Sequence, residues 1–216
     1  MKVIAFNGSP RANWNTAQLL QHALAGAKDQ GAETELVHLY ELNFRGCVSC
    51  FACKVDGGKS YGHCALRDDL TPWLKKLEET DAIILGSPIY LGAATGEMRK
   101  LFERLFFPFL CYTNPPQSLF VRKLRAGFIY SLNLTEAQAE AYGYRQSLQV
   151  TENVAKIVFG SAETMMCYDT CQFDDYGKIY CPRFDPVHKQ HQRTEVFPQE
   201  CRKAYELGVR LAGGQK

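Results

Sequence analysis

The 216-residue sequence predicts an α/β fold, a doubly wound sandwich around a five-stranded parallel sheet. Three observations carry that expectation. Short apolar runs of strand length alternate with longer stretches of helical period, the pattern of successive strand–helix units. The run Ala82-Ile-Ile-Leu85 is apolar without interruption, as a central parallel strand covered on both faces must be. Polar, turn-forming segments follow directly on several strands, where open parallel sheets hold their ligands.

Residues 2–6 form the first strand. Leu19, Leu20, Ala23, Leu24 and Ala27 recur at helical spacing between Thr16 and Lys28, and Gly31 follows the end of that helix. A second strand covers 34–39, and a cysteine-rich loop runs over 45–67. Thr71-Pro72 supplies an N-cap and a first-turn proline for a helix reaching Glu79. After the third strand at 82–85, a turn-rich segment from Gly86 to Gly96 leads into a helix striped with Met98, Leu101, Phe102 and Leu105. Residues 107–123 hold Pro108, Pro115 and Pro116 and read as an irregular surface excursion. The fourth strand is 126–130, a helical region broken near Gly143 spans 135–158, the fifth strand is 163–167, and 198–212 is the closing helix. No repeat or linker interrupts the chain, so residues 1–216 are expected to form a single domain.

Hydrophobic residues make up 46% and charged residues 22% of the chain, with a formal net charge of +2, ordinary values for a globular protein. Lys and Arg are scattered, with no basic run flanked by aromatics, which argues against a nucleic-acid partner. The apolar run after Lys2 ends at Asn7, too short for a signal peptide, and no stretch approaches the ~18 apolar residues of a membrane span. A cytoplasmic protein is expected. In that reducing compartment the nine cysteines read as free thiols, metal ligands or redox groups, not structural disulfides.

The segment NGSPRANWNT at 7–16 lies between the first strand and the first helix. Ser9, Asn15 and Thr16 can donate hydrogen bonds to phosphate oxygens and Arg11 can add charge. The helix N-terminus itself favours an anion there. Neither a dinucleotide G-x-G-x-x-G nor a P-loop G-K-[ST] is present. The same residue types also serve as helix caps, so a well-capped turn is the alternative. A second segment, Pro88-Ile89-Tyr90-Leu91-Gly92, offers backbone donors and acceptors, apolar surface and a glycine that permits close approach. Ser131 and Asn133 follow the fourth strand, as a third contact or as caps. No acid–base residue is nominated. His22, His38, His63, His188 and His191 show no metal spacing and are expected at surface or edge positions.

With these segments in place, the chain resembles the NADPH-dependent FMN reductases of the flavodoxin superfamily. G-S-P-R-x-x-x-N-T after the first strand is similar to that family's phosphate loop. Asp81 to Gly92 with Met98 to Arg104 is similar to its second flavin loop and the helix that follows. Residues 169–176 and 197–211 resemble its C-terminal portion. The resemblance implies a flavodoxin-like strand order 2-1-3-4-5 and FMN as cofactor. It implies Ser9, Arg11, Asn15 and Thr16 at the phosphate, and Pro88, Ile89, Tyr90, Leu91, Gly92, Ser131 and Asn133 around the ring. It also implies NAD(P)H as reductant, a small-molecule acceptor such as a flavin or quinone, and a homodimer or homotetramer. Phe106, Phe107, Phe109, Leu110, Leu119 and Phe120, taken as exposed, are expected to pack on another subunit.

Cys47-x-x-Cys50-x-x-Cys53, followed by Cys64, has the spacing to hold a [4Fe–4S] cluster and resembles the iron–sulfur flavoproteins of the same superfamily. The ten-residue gap before Cys64 departs from that pattern. Free thiols, a zinc ion and a redox disulfide stay open as alternatives. Cys111, Cys167, Cys171, Cys181 and Cys201 read as small buried hydrophobes. A flavodoxin-type electron carrier is the competing function, against which the near-neutral charge counts.

Overall fold

The structure, a computed structural model, describes residues 1–213. In chain order its elements are β1 (Lys2–Asn7), α1 (Asn15–Asp29), β2 (Glu33–His38), α2 (Thr71–Lys76), β3 (Ala82–Tyr90), β4 (Ala93–Ala94), α3 (Gly96–Phe106), β5 (Leu110–Cys111), β6 (Gln117–Ser118), β7 (Leu124–Ser131), α4 (Glu136–Ala141), α5 (Tyr144–Phe159), β8 (Gly160–Cys167), α6 (Pro186–His191) and α7 (Phe197–Ala212). The main sheet runs β2-β1-β3-β7-β8, and the short β4 pairs with β3. All four pairings along that path are parallel. Counting parallel strands alone, this is the expected 2-1-3-4-5 order of a flavodoxin-like sheet.

Strand periodicity divides the core into two layers. Ile4, Phe6, Ile83, Leu85, Phe128 and Tyr130 point to one face, beneath Met98, Leu101 and Leu105 of α3 and Leu148, Ala155 and Phe159 of α5. Val3, Ala5, Ala82, Ile84 and Ile129 point to the other, beneath α1 and α7. Among the described residues no helix is long and apolar enough to cross a membrane.

Several boundaries differ from the sequence expectation. β3 does not stop at Leu85 but continues to Tyr90, because Gly86 to Pro88 keep pairing with β1 and β7. The closing helix is preceded by α6 and a π-helical stretch, Gln192–Val196, in a segment whose apolar spacing is too sparse to announce a helix. The excursion contains a 3-10 turn, Phe107–Phe109, and the antiparallel pair β5–β6. Tyr112 is exposed, but the phenylalanines of this segment are not free surface. Phe106 and Phe109 are buried in the chain's own core, and Phe120 lies edge-on to both Phe109 and Phe159 at 5.0 Å. The exposed-patch argument for a second subunit therefore falls. The phenylalanines cover α5 and the sheet instead.

Candidate functional site

Strand order reverses between β1 and β3, so the loops leaving their carboxyl ends diverge. They open a cavity of about 270 Å³ lined by residues from the β1–α1 loop, the end of β3, the β7–α4 loop and residues 170–172. At one end stands the N-terminus of α1. Its N-cap is Trp14, and no side chain caps the helix. The first-turn N–H groups are therefore left for another acceptor. Asn15 and Thr16 are buried there.

The loop is held by its own side chains. Asn7 Oδ1 accepts the Ser9 N–H at 3.0 Å, and Ser9 Oγ accepts the Arg11 N–H at 3.1 Å, the short-range bonding that favours these residues in turns. The Thr16 and Ser131 hydroxyls share a hydrogen bond at 2.8 Å, tying α1 to β7. Asn15 Nδ2 donates to the Cys171 carbonyl at 2.8 Å, Trp14 Nε1 donates to the same oxygen at 3.2 Å, and Arg11 donates to the Gln172 carbonyl at 2.6 Å. Arg193 donates to Asn15 Oδ1 at 2.8 Å and lies over the Trp14 ring.

At the other end β3 turns back on itself. Leu91 and Gly92 adopt φ of 52° and 81° between the paired residues Tyr90 and Ala93. Positive φ at both positions is the type I′ geometry that suits the twist of a two-residue hairpin. A Cβ at Gly92 would lie 3.2 Å from the Tyr144 ring, so the turn and α5 are in close contact. Pro88, Ile89 and Tyr90 line the cavity with Tyr142 and Tyr144.

Of the expected residues, Ser9, Arg11, Asn15, Thr16, Pro88, Ile89, Tyr90, Ser131 and Asn133 line this one cavity. Leu91 and Gly92 do not; they shape the turn, and the Leu91 side chain is fully exposed. Trp14, Tyr142, Tyr144 and Cys171 also line it and were missed. Cys171 read as mere filler, although it sits in the segment that supplies the carbonyl acceptors. Cys167 and Cys201 are buried as expected, whereas Cys111 and Cys181 are half-buried.

A support stands behind the cavity. Buried Lys189 on α6 donates to Asn133 Oδ1 at 2.5 Å, to the Asn133 carbonyl at 3.2 Å and to Asp169 Oδ1 at 2.5 Å. His188 bonds the second Asp169 oxygen at 2.6 Å. A buried ammonium needs such partners, and meeting that need fixes the β7–α4 loop and residue 169 together. Four of the five histidines are exposed and His38 is half-buried at a strand edge, bonded to Asn7 at 3.0 Å.

The cysteines make a second feature, about which the nine thiols as a whole say only that none is paired. Cys47, Cys50, Cys53 and Cys64 line a single cavity with Glu103, Arg104 and Phe107. It is about 20 Å³, roughly the room one water needs. Among the described residues no group of three or more His, Cys, Asp or Glu is arranged to hold a metal ion. Cys47 and Cys50 are exposed and Cys53 is buried; burial pushes the Cys53 thiol up in pKa. Ser49 and Phe51, on either side of Cys50, both sit in the left-handed region, with φ of 53° and 54°, a strain found at functional segments.

The base of the loop is closed by polar contacts. Asp69 accepts the Asn43 N–H at 2.8 Å and Asp68 the Arg45 N–H at 3.2 Å. Arg104, with a fully buried side chain, donates to the Arg45 carbonyl at 3.0 Å and to Asp68 at 2.5 Å. Burial opposes ionisation of Asp68, but Arg104 and the surrounding N–H groups outweigh it and hold its pKa below the usual carboxylate value.

The chain spans about half the length of the curated relatives it matches. It is 39% identical over 104 residues to an iron-sulfur flavoprotein of Methanocaldococcus jannaschii, an alignment covering 48% of this chain and 51% of that one. An iron-sulfur flavoprotein of Archaeoglobus fulgidus is 38% identical over 104 residues, covering 48% of each chain. Among solved structures, the NAD(P)H:quinone oxidoreductase of Methanothermobacter marburgensis superposes with a TM-score of 0.71 at 15% identity over 98% of both chains, a likeness of fold. The model of the NADPH-dependent FMN reductases matches residues 1–167, and the chain belongs to that family.

Proposed function

We propose that this chain is an FMN-dependent oxidoreductase that passes electrons from NAD(P)H to a small acceptor such as a flavin or quinone. One observation carries the reading: the cavity at the strand switch point joins an uncapped helix N-terminus at one end to an apolar hairpin and two tyrosines at the other. A flavin mononucleotide has that polarity, an anionic phosphate on a flat apolar ring. Ser9, Thr16, Arg11 and the free N–H groups of α1 would hold the phosphate. Pro88, Ile89 and Tyr90 would cover the ring and exclude water from it, while Ser131 and Asn133 meet its polar edge. When bound, FMN supplies the hydride and electron chemistry, and the protein supplies orientation.

The test is to titrate the purified protein with FMN and then mix it anaerobically with NADPH or NADH. Bound flavin bleached by the nucleotide supports the reading. A protein that binds no FMN overturns it. Ser9→Ala removes a candidate phosphate donor, and the expected loss is roughly tenfold in FMN affinity, as for one hydrogen bond to a charged group.

A second reading, an iron–sulfur flavoprotein, is favoured by the four cysteines on one cavity and by the names of the curated relatives. The donor set fits: thiolates are the usual cluster ligands. The cavity is small, so loading requires the exposed Cys47–Cys50 segment to swing outward. Iron and acid-labile sulfide assayed after anaerobic purification decide between a cluster and free thiols.

A further inference from the structure

Arg104 has two donors with nothing to bond. Its side chain is fully buried, and while one terminal nitrogen serves Asp68 and the Arg45 carbonyl, Nε and Nη2 have no hydrogen-bond partner among the described residues. Unmet donors on a buried cation are costly and uncommon in native structures. The guanidinium borders the cavity shared by Cys47, Cys50, Cys53 and Cys64. Cys64 lines that same cavity and makes no hydrogen bond to either free donor.

Glu103, which also lines the cavity, and Lys54, next to Cys53 in the chain, are already occupied. Glu103 accepts the Cys47 N–H at 2.9 Å. Lys54 donates to the carbonyls of Phe107, Pro108 and Leu110 and sits over the Phe107 ring. Among the described residues lining this cavity, Arg104 is the cation with free hydrogen-bonding capacity.

We propose that Arg104 is a positioning residue for an anionic sulfur centre held by Cys47, Cys50, Cys53 and Cys64, its free Nε–H and Nη2–H donating to sulfur and its charge favouring the reduced form. This rests on the iron–sulfur reading above. Four thiolates around an iron–sulfur core leave the assembly anionic, and one charge more negative when reduced. A fixed positive charge in a dry pocket therefore stabilises the reduced state more than the oxidised one, and hydrogen bonds to cluster sulfurs act in the same direction. Asp68 counters it: its carboxylate holds the guanidinium in place and offsets part of its charge.

The experiment reconstitutes the 216-residue chain with ferrous iron and sulfide under anaerobic conditions. It measures iron and sulfide content and the midpoint potential by spectroscopic redox titration for the wild type, Arg104→Gln, Arg104→Lys and Asp68→Asn. The expected result is a lower potential for R104Q, a higher one for D68N, and a value near wild type for R104K. A purely structural role would lower cluster content in all three variants without shifting the potential in opposite directions. Should R104Q not load, R104K and D68N decide on the same criteria. Unchanged potentials, or shifts of one sign in R104Q and D68N, overturn the role of Arg104 while leaving the cluster reading intact. A wild-type protein that takes up no iron removes both.

Discussion

Leu91 holds φ at 52° with its side chain wholly in solvent, so nothing it packs against offsets the strain. The left-handed conformation costs such a residue roughly 1–2 kcal/mol, and asparagine tolerates it better. Leu91→Asn should therefore raise stability by about 1 kcal/mol, read as a shift in the urea midpoint with unchanged slope. Asp68 makes a prediction in pH. Its folded-state pKa lies below the unfolded value, so its contribution is present above the unfolded value of about 3.9 and fades as pH falls through the lower, folded one. Thermal melts from pH 6 to 3 should show the gap between wild type and Asp68→Asn closing at the acid end. Residues of the candidate site were legible at this scale where their chemistry was local. Ser9, Asn15 and Thr16 declared themselves by adjacency to a helix start. Arg104 did not, because a single arginine on the edge of the Met98–Leu105 stripe looks the same from sequence whether it reaches solvent or is buried against Asp68.

Between elements, the tightest contact is that of α1 with α7. A Cβ on Gly208 would lie 1.7 Å from the Ala23 carbonyl oxygen, and one on Gly26 would lie 2.1 Å from that of Tyr205. Both clashes are with backbone, which no rotamer change relieves. Gly208→Ala should cost about 3 kcal/mol or more by forcing the helices apart, measurable as a fall in melting temperature with or without flavin. Periodicity placed every parallel strand and the long helices, since buried strands and amphipathic helices write their burial into the sequence. It missed the continuation of β3 through Ser87-Pro88, where pairing with β7 overrode turn-forming residues. It also missed α6, whose exposed Val187 and buried Lys189 invert the usual pattern because the lysine answers to Asp169 and Asn133 and not to an apolar face.

For the molecule as a whole, ligand linkage is the informative measurement. If the switch-point cavity takes FMN in the folded state only, flavin at one hundred times its dissociation constant adds about 2.7 kcal/mol of stability. For a chain of this size that corresponds to a rise in melting temperature of roughly 5–10 °C, and an unchanged melt would contradict FMN binding. Sheet order was legible because the resemblance at the two loops carried it; periodicity alone sets strand identity, not neighbourhood. The aromatic content of residues 107–123 misled for the same reason. Composition registers that apolar surface exists, and only the folded chain reveals that Phe109 packs on Phe120 and Phe120 on Phe159.

The base of the cysteine loop has one more consequence. Asn43 and Arg45 meet Asp68 and Asp69 side by side, so the ends of the segment between them are neighbours whatever the segment contains. Closing a loop costs only about 0.6 kcal/mol more for each doubling of its length. The segment therefore behaves as a cassette. Its length and content can change, and with them whatever the four thiols hold, without disturbing the register of the five parallel strands.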